Sequence, residues 1–116
     1  MPTYIGIGFI TSFDFLYNIG KEINIDKYSV LYNKEKIVNF LKQKYKLETL
    51  YIICNSDIYN IAVFSEIIKV ADPFCSIDFP KNNYNIAENF EEMRDKIEPD
   101  KRIEMIIYYA NEHLKL

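Results

Sequence analysis

Two of the three glycines in this 116-residue chain stand two positions apart in its first apolar segment. Residues 3–10, TYIGIGFI, are rich in β-branched and aromatic residues and therefore predict a strand. Side chains alternate along a strand, so Gly6 and Gly8 leave one of its faces without Cβ atoms. Another backbone or an aromatic ring can pack closely over that face. Because no third glycine follows at the spacing of a dinucleotide-binding loop, the pattern predicts close packing within the fold.

Helical patterns follow in the first half of the chain. Residues 34–45 predict a helix that begins after Asn33 and has one apolar side and outward lysines. That apolar side consists of Ile37, Phe40, Leu41 and Tyr45. Ser12 could cap a shorter helix within residues 11–25, although Gly20 weakens it. The inward side chains of this shorter helix would be Phe13, Leu16, Ile19 and Ile23.

The middle of the chain supports two interpretations. Residues 50–54, LYIIC, are short and apolar and predict a buried strand. The polar residues 55–57 could then turn the chain into a second strand over residues 58–64, which would form a hairpin. Alternatively, they could cap a helix over residues 56–70 that ends before Pro73. We prefer the helix, because the segment is longer than a usual strand and its polar residues have helical spacing.

The second half of the chain predicts one more strand and two helices. The strand covers residues 74–79 and is followed by a polar loop over residues 80–85. A helix over residues 85–97 has the apolar stripe Ile86, Phe90, Met93 and Ile97. A last helix after residues 98–100 is predicted from the spacing of Ile103, Ile106, Ile107, Ala110 and Leu114. We therefore expect a single domain, residues 1–116, of α+β or α/β class, with two to four short strands packed by three to five helices, two of them C-terminal.

The composition favours binding over catalysis. Ten Tyr and eight Phe supply large contact areas at low entropic cost, whereas cofactor loops and metal sites need the Gly, His and Cys that are scarce here. The only histidine, His113, lies near the C-terminus, where we expect a surface residue. Cys54 and Cys75 lie among apolar neighbours, as buried free thiols do, and their spacing does not match a zinc site. We therefore expect that the protein is not an enzyme and that it has no catalytic residue, no metal site and no cofactor.

Charge is distributed unevenly along the chain. The formal net charge is −3, which argues against nucleic acid as a partner, because phosphate neutralisation needs a basic face. Residues 21–46 contain seven Lys and three acids, whereas residues 47–100 contain eleven acids and four bases. One face of the protein could therefore be distinctly negative. No signal peptide or membrane-spanning run is visible, so we expect a cytoplasmic protein without a membrane partner.

A small, acidic, glycine-poor chain with many Ile, Asn, Lys and Tyr residues resembles the immunity proteins of bacterial contact-dependent growth inhibition and related polymorphic toxin systems. The resemblance extends over the whole chain, but it concerns only the size and the composition of the chain. It implies tight binding to a cognate toxin domain, commonly a nuclease with a basic active-site cleft. Because these immunity families share no motif, the resemblance assigns no role to any residue of this sequence.

We hypothesise that the chain inhibits such a toxin by stoichiometric occlusion. Clustered acids would pair with Lys and Arg of the toxin around exposed aromatic anchors, and would speed encounter by electrostatic steering. The acids are Asp57, Asp72, Asp78, Glu88, Glu91, Glu92 and Asp95, and the anchors are Tyr59, Phe74 and Tyr84.

Three other interpretations remain open. A phage-encoded inhibitor of a host defence protein would have the same physical profile. A small enzyme could use paired carboxylates with or without a divalent metal. A structural subunit could bury its aromatic surface by self-association, since the sequence leaves the oligomeric state undetermined.

Overall fold

The computed structural model describes residues 2–57, 59–71 and 86–110, which form an antiparallel four-stranded sheet with three α-helices on one side. The strands are β1 (Thr3–Thr11), β2 (Tyr51–Ile53), β3 (Ile61–Ala71) and β4 (Glu104–Tyr109), and their order in the sheet is β2-β3-β1-β4. The helices are α1 (Phe13–Glu22), α2 (Lys34–Tyr45) and α3 (Glu88–Ile97), and a 3-10 helix, Lys27–Asn33, precedes α2. The fold class is therefore α+β.

The glycine pair in β1 is tightly covered, as the sequence predicted. A Cβ atom on Gly8 would overlap the carbonyl oxygen of Val63, and one on Gly6 would overlap the carbonyl oxygen of Glu66. β3 is bulged at this place, since Ser65 and Ile68 have no partner in the register with β1. The absence of two Cβ atoms lets the bulged backbone of β3 lie against β1.

The sheet separates two apolar clusters. On the helical side, Phe9 packs at 6.0 Å from the ring of Phe15 in α1 and at 5.7 Å from the ring of Phe90 in α3. On the other side, Tyr4 and Tyr108 belong to a cluster with residues of all four strands. Both faces of β1 are therefore buried, which accounts for its nearly continuous apolar sequence.

The first two predicted helices are confirmed. α2 has the predicted bounds and buries Ile37, Leu41 and Tyr45. α1 begins directly after Ser12, and it buries Phe15, Leu16, Ile19 and Gly20. Phe13 and Ile23, which the sequence placed inward, are only partly buried at the edge of the same core.

The preferred helix over residues 56–70 is wrong. Residues 61–71 form β3, which is antiparallel to both β1 and β2, so the hairpin interpretation describes this region. The segment contains five β-branched aliphatic residues, whose side chains fit a pleated sheet better than a helix. Pairing with β1 along its whole length makes the strand longer than its isolated sequence indicates.

The predicted final helix is also wrong, so only one of the two expected C-terminal helices is present among the described residues. α3 confirms the first of them, but residues 104–109 form β4, which pairs antiparallel with β1. The spacing of Ile103, Ile106 and Ile107 suits a helix, yet the run MIIYY consists mainly of strand-forming residues. The open edge of β1 decides between the two, because it satisfies the backbone hydrogen bonds of the segment.

Several expectations concern residues outside those that the structure describes. They are the strand over residues 74–79, the loop over residues 80–85, and the environments of Cys75, His113 and Leu114.

Replacing Gly8 with Ala should destabilise the fold strongly. The new methyl group would meet backbone atoms of β3, which cannot move aside as a side chain can. We expect a loss of about 3 kcal/mol in the free energy of unfolding, the upper end of the range for overpacking. Urea denaturation followed by circular dichroism measures it.

Gly20→Ala is the matched control. Its Cβ would lie 2.8 Å from Cγ1 of Val30, a side-chain atom, and alanine favours the helix by about 1 kcal/mol over glycine. We expect a much smaller loss than for Gly8→Ala. Equal losses in the two variants would contradict the importance of the β1–β3 approach.

Candidate functional site

The acids predicted on one helix lie on the outer side of α3. Phe90 and Met93 are fully buried and fix the inward face of this helix. Two of its four acids are already paired with cations of the same helix: Glu92 Oε1 lies 3.3 Å from Lys96 Nζ, and Asp95 Oδ1 lies 2.8 Å from Arg94 Nη2. Glu88 and Glu91 have no ion pair within residues 2–57, 59–71 and 86–110.

The start of α3 borders a cleft of about 460 Å³ that also involves the end of α2 and the middle of β3. We call it the acidic cleft. Its lining residues are Lys46, Leu47, Glu48, Thr49, Ser65, Glu66, Ala87, Asn89 and Phe90. Glu88 and Glu91 are sequence neighbours of Asn89 and Phe90 in the first turn of α3, but they are not among the lining residues.

Two side-chain hydrogen bonds hold the walls of the acidic cleft together. Asn89 Nδ2 donates to the carbonyl oxygen of Lys46 at 3.0 Å, which joins the start of α3 to the end of α2. Thr49 Oγ1 donates to the carbonyl oxygen of Ser65 at 2.6 Å. Ser65 is a bulged residue, so its backbone groups lack the usual partner in the ladder, and Thr49 satisfies one of them.

The acidic cleft carries an excess of negative charge. Glu48 and Glu66 line it and are exposed, and neither has an ion pair within the described part of the chain. Glu88 and Glu91, also without an ion pair among the described residues, lie in the first turn of α3, whose Asn89 and Phe90 line the cleft. Lys46 is the cation among the lining residues, so the local balance is negative.

The other predicted contact residues with known positions lie elsewhere. Asp57 and Tyr59 belong to the connection between β2 and β3, where Asp57 Oδ1 accepts a hydrogen bond from the backbone N–H of Tyr59 at 2.9 Å. This connection contacts β4, since the Tyr108 hydroxyl donates to the carbonyl oxygen of Asn60. Tyr108 is buried on the face of the sheet away from the helices. Asp57 and Tyr59 therefore do not join the acids of α3 in one patch.

Tyr59 is nevertheless available for contact, because 79% of its surface is exposed. Asp72, Phe74, Asp78 and Tyr84 lie outside the residues that the structure describes. Sequence reasoning missed Glu48 and Glu66. The hairpin interpretation was the signal that could have brought these two residues near each other, since Glu48 precedes β2, Glu66 lies in β3, and the two strands are paired.

Two further observations bear on the class of site. Among the described residues, no group of three or more His, Cys, Asp and Glu side chains is placed to hold a metal ion. Nor does any helix in that part of the chain combine the length and apolar character needed to cross a membrane.

Comparison with known proteins gives no relative: no family model matches the chain, and neither a curated protein nor a solved structure is significantly similar to it.

Two substitutions of Lys46 distinguish the effect of its backbone conformation on stability from the effect of its charge. Lys46 ends α2 in the left-handed conformation, with φ of 57°, which costs a residue with a Cβ about 1 kcal/mol. Lys46→Gly should therefore raise the free energy of unfolding by about 0.5–1 kcal/mol.

Lys46→Ala serves as the control, because it removes the same charge but keeps the Cβ atom. We expect its stability to remain within about 0.5 kcal/mol of that of the parent. Denaturant titration of the three proteins provides the comparison. A gain of equal size in both variants would assign the effect to the lysine charge instead of the backbone.

Proposed function

We propose that this chain is an immunity protein that neutralises a cognate toxin domain by binding and covering it. The observation that carries the proposal is that Glu48 and Glu66 line one cleft without an ion pair among the described residues, while Glu88 and Glu91 lie in the helical turn that borders it. A solvated acidic face satisfies its charges with water alone. Acidic side chains beside a concave surface can in addition bind the basic side chains of a partner.

The unpaired acids contribute most to such an interface. Glu92 and Asp95 already face cations of their own helix, so a partner gains less from them. Glu88 and Glu91 have no ion pair among the described residues, and they belong to the helical turn whose Asn89 and Phe90 line the concave surface. Complementary charges of this kind mainly raise the association rate and select the partner, whereas buried anchors determine the dissociation rate.

Tyr59 and Asp57 form a second candidate contact on the other side of the sheet. A toxin that reaches both regions would have to wrap around an edge of the domain. We therefore place the primary contact at α3 and the acidic cleft. A nuclease with a basic active-site cleft is the toxin class that fits this surface best, and occlusion needs no bond-making step by the inhibitor.

Co-expression tests the proposal directly. The C-terminal domain of a large secreted effector encoded beside this chain's gene is expressed under an inducible promoter, with and without the chain. We expect growth arrest without the chain and normal growth with it. A 1:1 complex of the two purified proteins should then form. Continued growth arrest, together with the absence of a complex at micromolar concentration, would refute the proposal.

The double variant Glu88→Lys/Glu91→Lys should lower the association rate with the toxin domain by about tenfold or more, because steering of this size depends on the local field. Stopped-flow fluorescence at an ionic strength of about 0.15 M, where the Debye length is about 8 Å, measures it. Glu35→Lys/Asp14→Lys is the matched control, with the same change in net charge on residues outside the acidic cleft. We expect the control to change the rate by less than about threefold, since exposed charges beyond a Debye length are largely screened.

A further inference from the structure

A second cleft, also of about 460 Å³, lies where α1, α2 and the end of α3 meet. We call it the interhelical cleft. Among the residues that the structure describes, none lines both clefts. The floor is apolar: Ile19, Leu41 and Tyr45 are buried, and Phe40 and Ile97 are half-buried. These side chains belong to or border the helical core, so the floor is continuous with the interior of the domain.

The rim of the interhelical cleft is polar and contains two ammonium groups. Lys44 Nζ lies 3.4 Å from Glu22 Oε2, and Lys96 Nζ lies 3.3 Å from Glu92 Oε1. Lys44 Nζ also stands 5.5 Å from the ring centroid of Phe40 and 5.6 Å from that of Tyr45. A positive group is thus held at the mouth of an apolar, partly aromatic depression.

The interhelical cleft has the volume of a small-molecule site and combines an apolar floor with a polar rim of comparable extent. Such sites have volumes of roughly 300–1,000 Å³, mostly apolar walls and a few polar groups that orient the ligand. An ammonium group has three donors; Lys44 uses one of them toward Glu22, and Lys96 forms an ion pair with Glu92. The remaining donors of Lys44 and Lys96 can therefore bind an anion while both ion pairs persist.

We propose that the interhelical cleft binds small aromatic carboxylates, with the ring on the apolar floor and the carboxylate at Lys44 and Lys96. The preference for an anion follows from the rim, where the two carboxylates are already paired and the two ammonium groups keep free donors. This site is independent of the acidic cleft and of the toxin-neutralising function. Its ligand would be a metabolite-sized acid.

The test compares two probes with the same ring and opposite charge, indole-3-acetate and tryptamine. Each is titrated into the ¹⁵N-labelled full chain and followed by amide chemical shifts. Indole-3-acetate should bind with a dissociation constant of about 1 mM, the strength typical of a ligand of this size. It should shift the amides of Asn18, Ile19, Leu41, Lys44 and Ile97, whereas tryptamine should bind at least about tenfold more weakly.

Variants assign the charge preference to the two lysines. Lys44→Gln/Lys96→Gln should weaken binding of indole-3-acetate by about tenfold, because neutral hydrogen bonds replace charge-assisted ones. Lys36→Gln/Lys42→Gln is the control, since it removes two lysines of α2 that do not line the interhelical cleft. Phe40→Ala should weaken the binding of both probes.

Equal binding of the two probes would overturn the proposal, as would shifts confined to other residues or an equal loss in the control variant. Unchanged amide spectra of each unliganded variant outside the substituted positions verify that the fold persists. Toxin neutralisation by the Lys44→Gln/Lys96→Gln variant, measured in the growth assay, reports separately on the proposed function.

Discussion

The approach of β3 to the glycine pair of β1 determines where the rest of the molecule can lie. β3 carries two extra residues relative to β1, and a bulged strand needs room that side chains on β1 would occupy. Gly6 and Gly8 supply that room. The bulged residue Ser65 also reaches the surface. Its carbonyl oxygen accepts a hydrogen bond from Thr49, and the next residue, Glu66, lines the acidic cleft together with Glu48. The bulged part of β3 therefore forms one wall of the acidic cleft.

The sequence predicted well those elements whose pattern is local. α2 and α3 each bury one side, so their apolar spacing is visible without knowledge of the partner elements. The strand β1 was visible from its composition. The errors at β3 and β4 share one physical cause. Both segments contain apolar residues at spacings that fit a helix, and only pairing with the two edges of β1 selects the strand. Such pairing joins residues fifty or more positions apart, so a local pattern cannot contain it.

Less of the candidate site than of the fold could be predicted from the sequence, because the site also depends on contacts that a local pattern does not contain. The acids of α3 could be found, because they follow one another on a single helix. Which of them are free for a partner depends on individual contacts: Glu92 is paired with Lys96 four positions away, whereas Glu88 has no such cation. Glu66 joins them only through the strand that the sequence misassigned. Conversely, Asp57 and Tyr59 both lie in the connection between β2 and β3, which contacts Tyr108. They are therefore separated from the acids of α3.

The end of α2 explains why one short helix can serve two unrelated clefts. Lys44 and Lys46 are two positions apart, yet Lys44 lines the interhelical cleft and Lys46 lines the acidic cleft. Within a regular helix, residues at this spacing already point about 160° apart. The left-handed conformation of Lys46 then directs the chain away from the helix axis and toward Asn89 at the start of α3. The basic end of α2 thus supplies a cation to each cleft, and substitutions at the two lysines should act on separate sites, because no lining residue is shared.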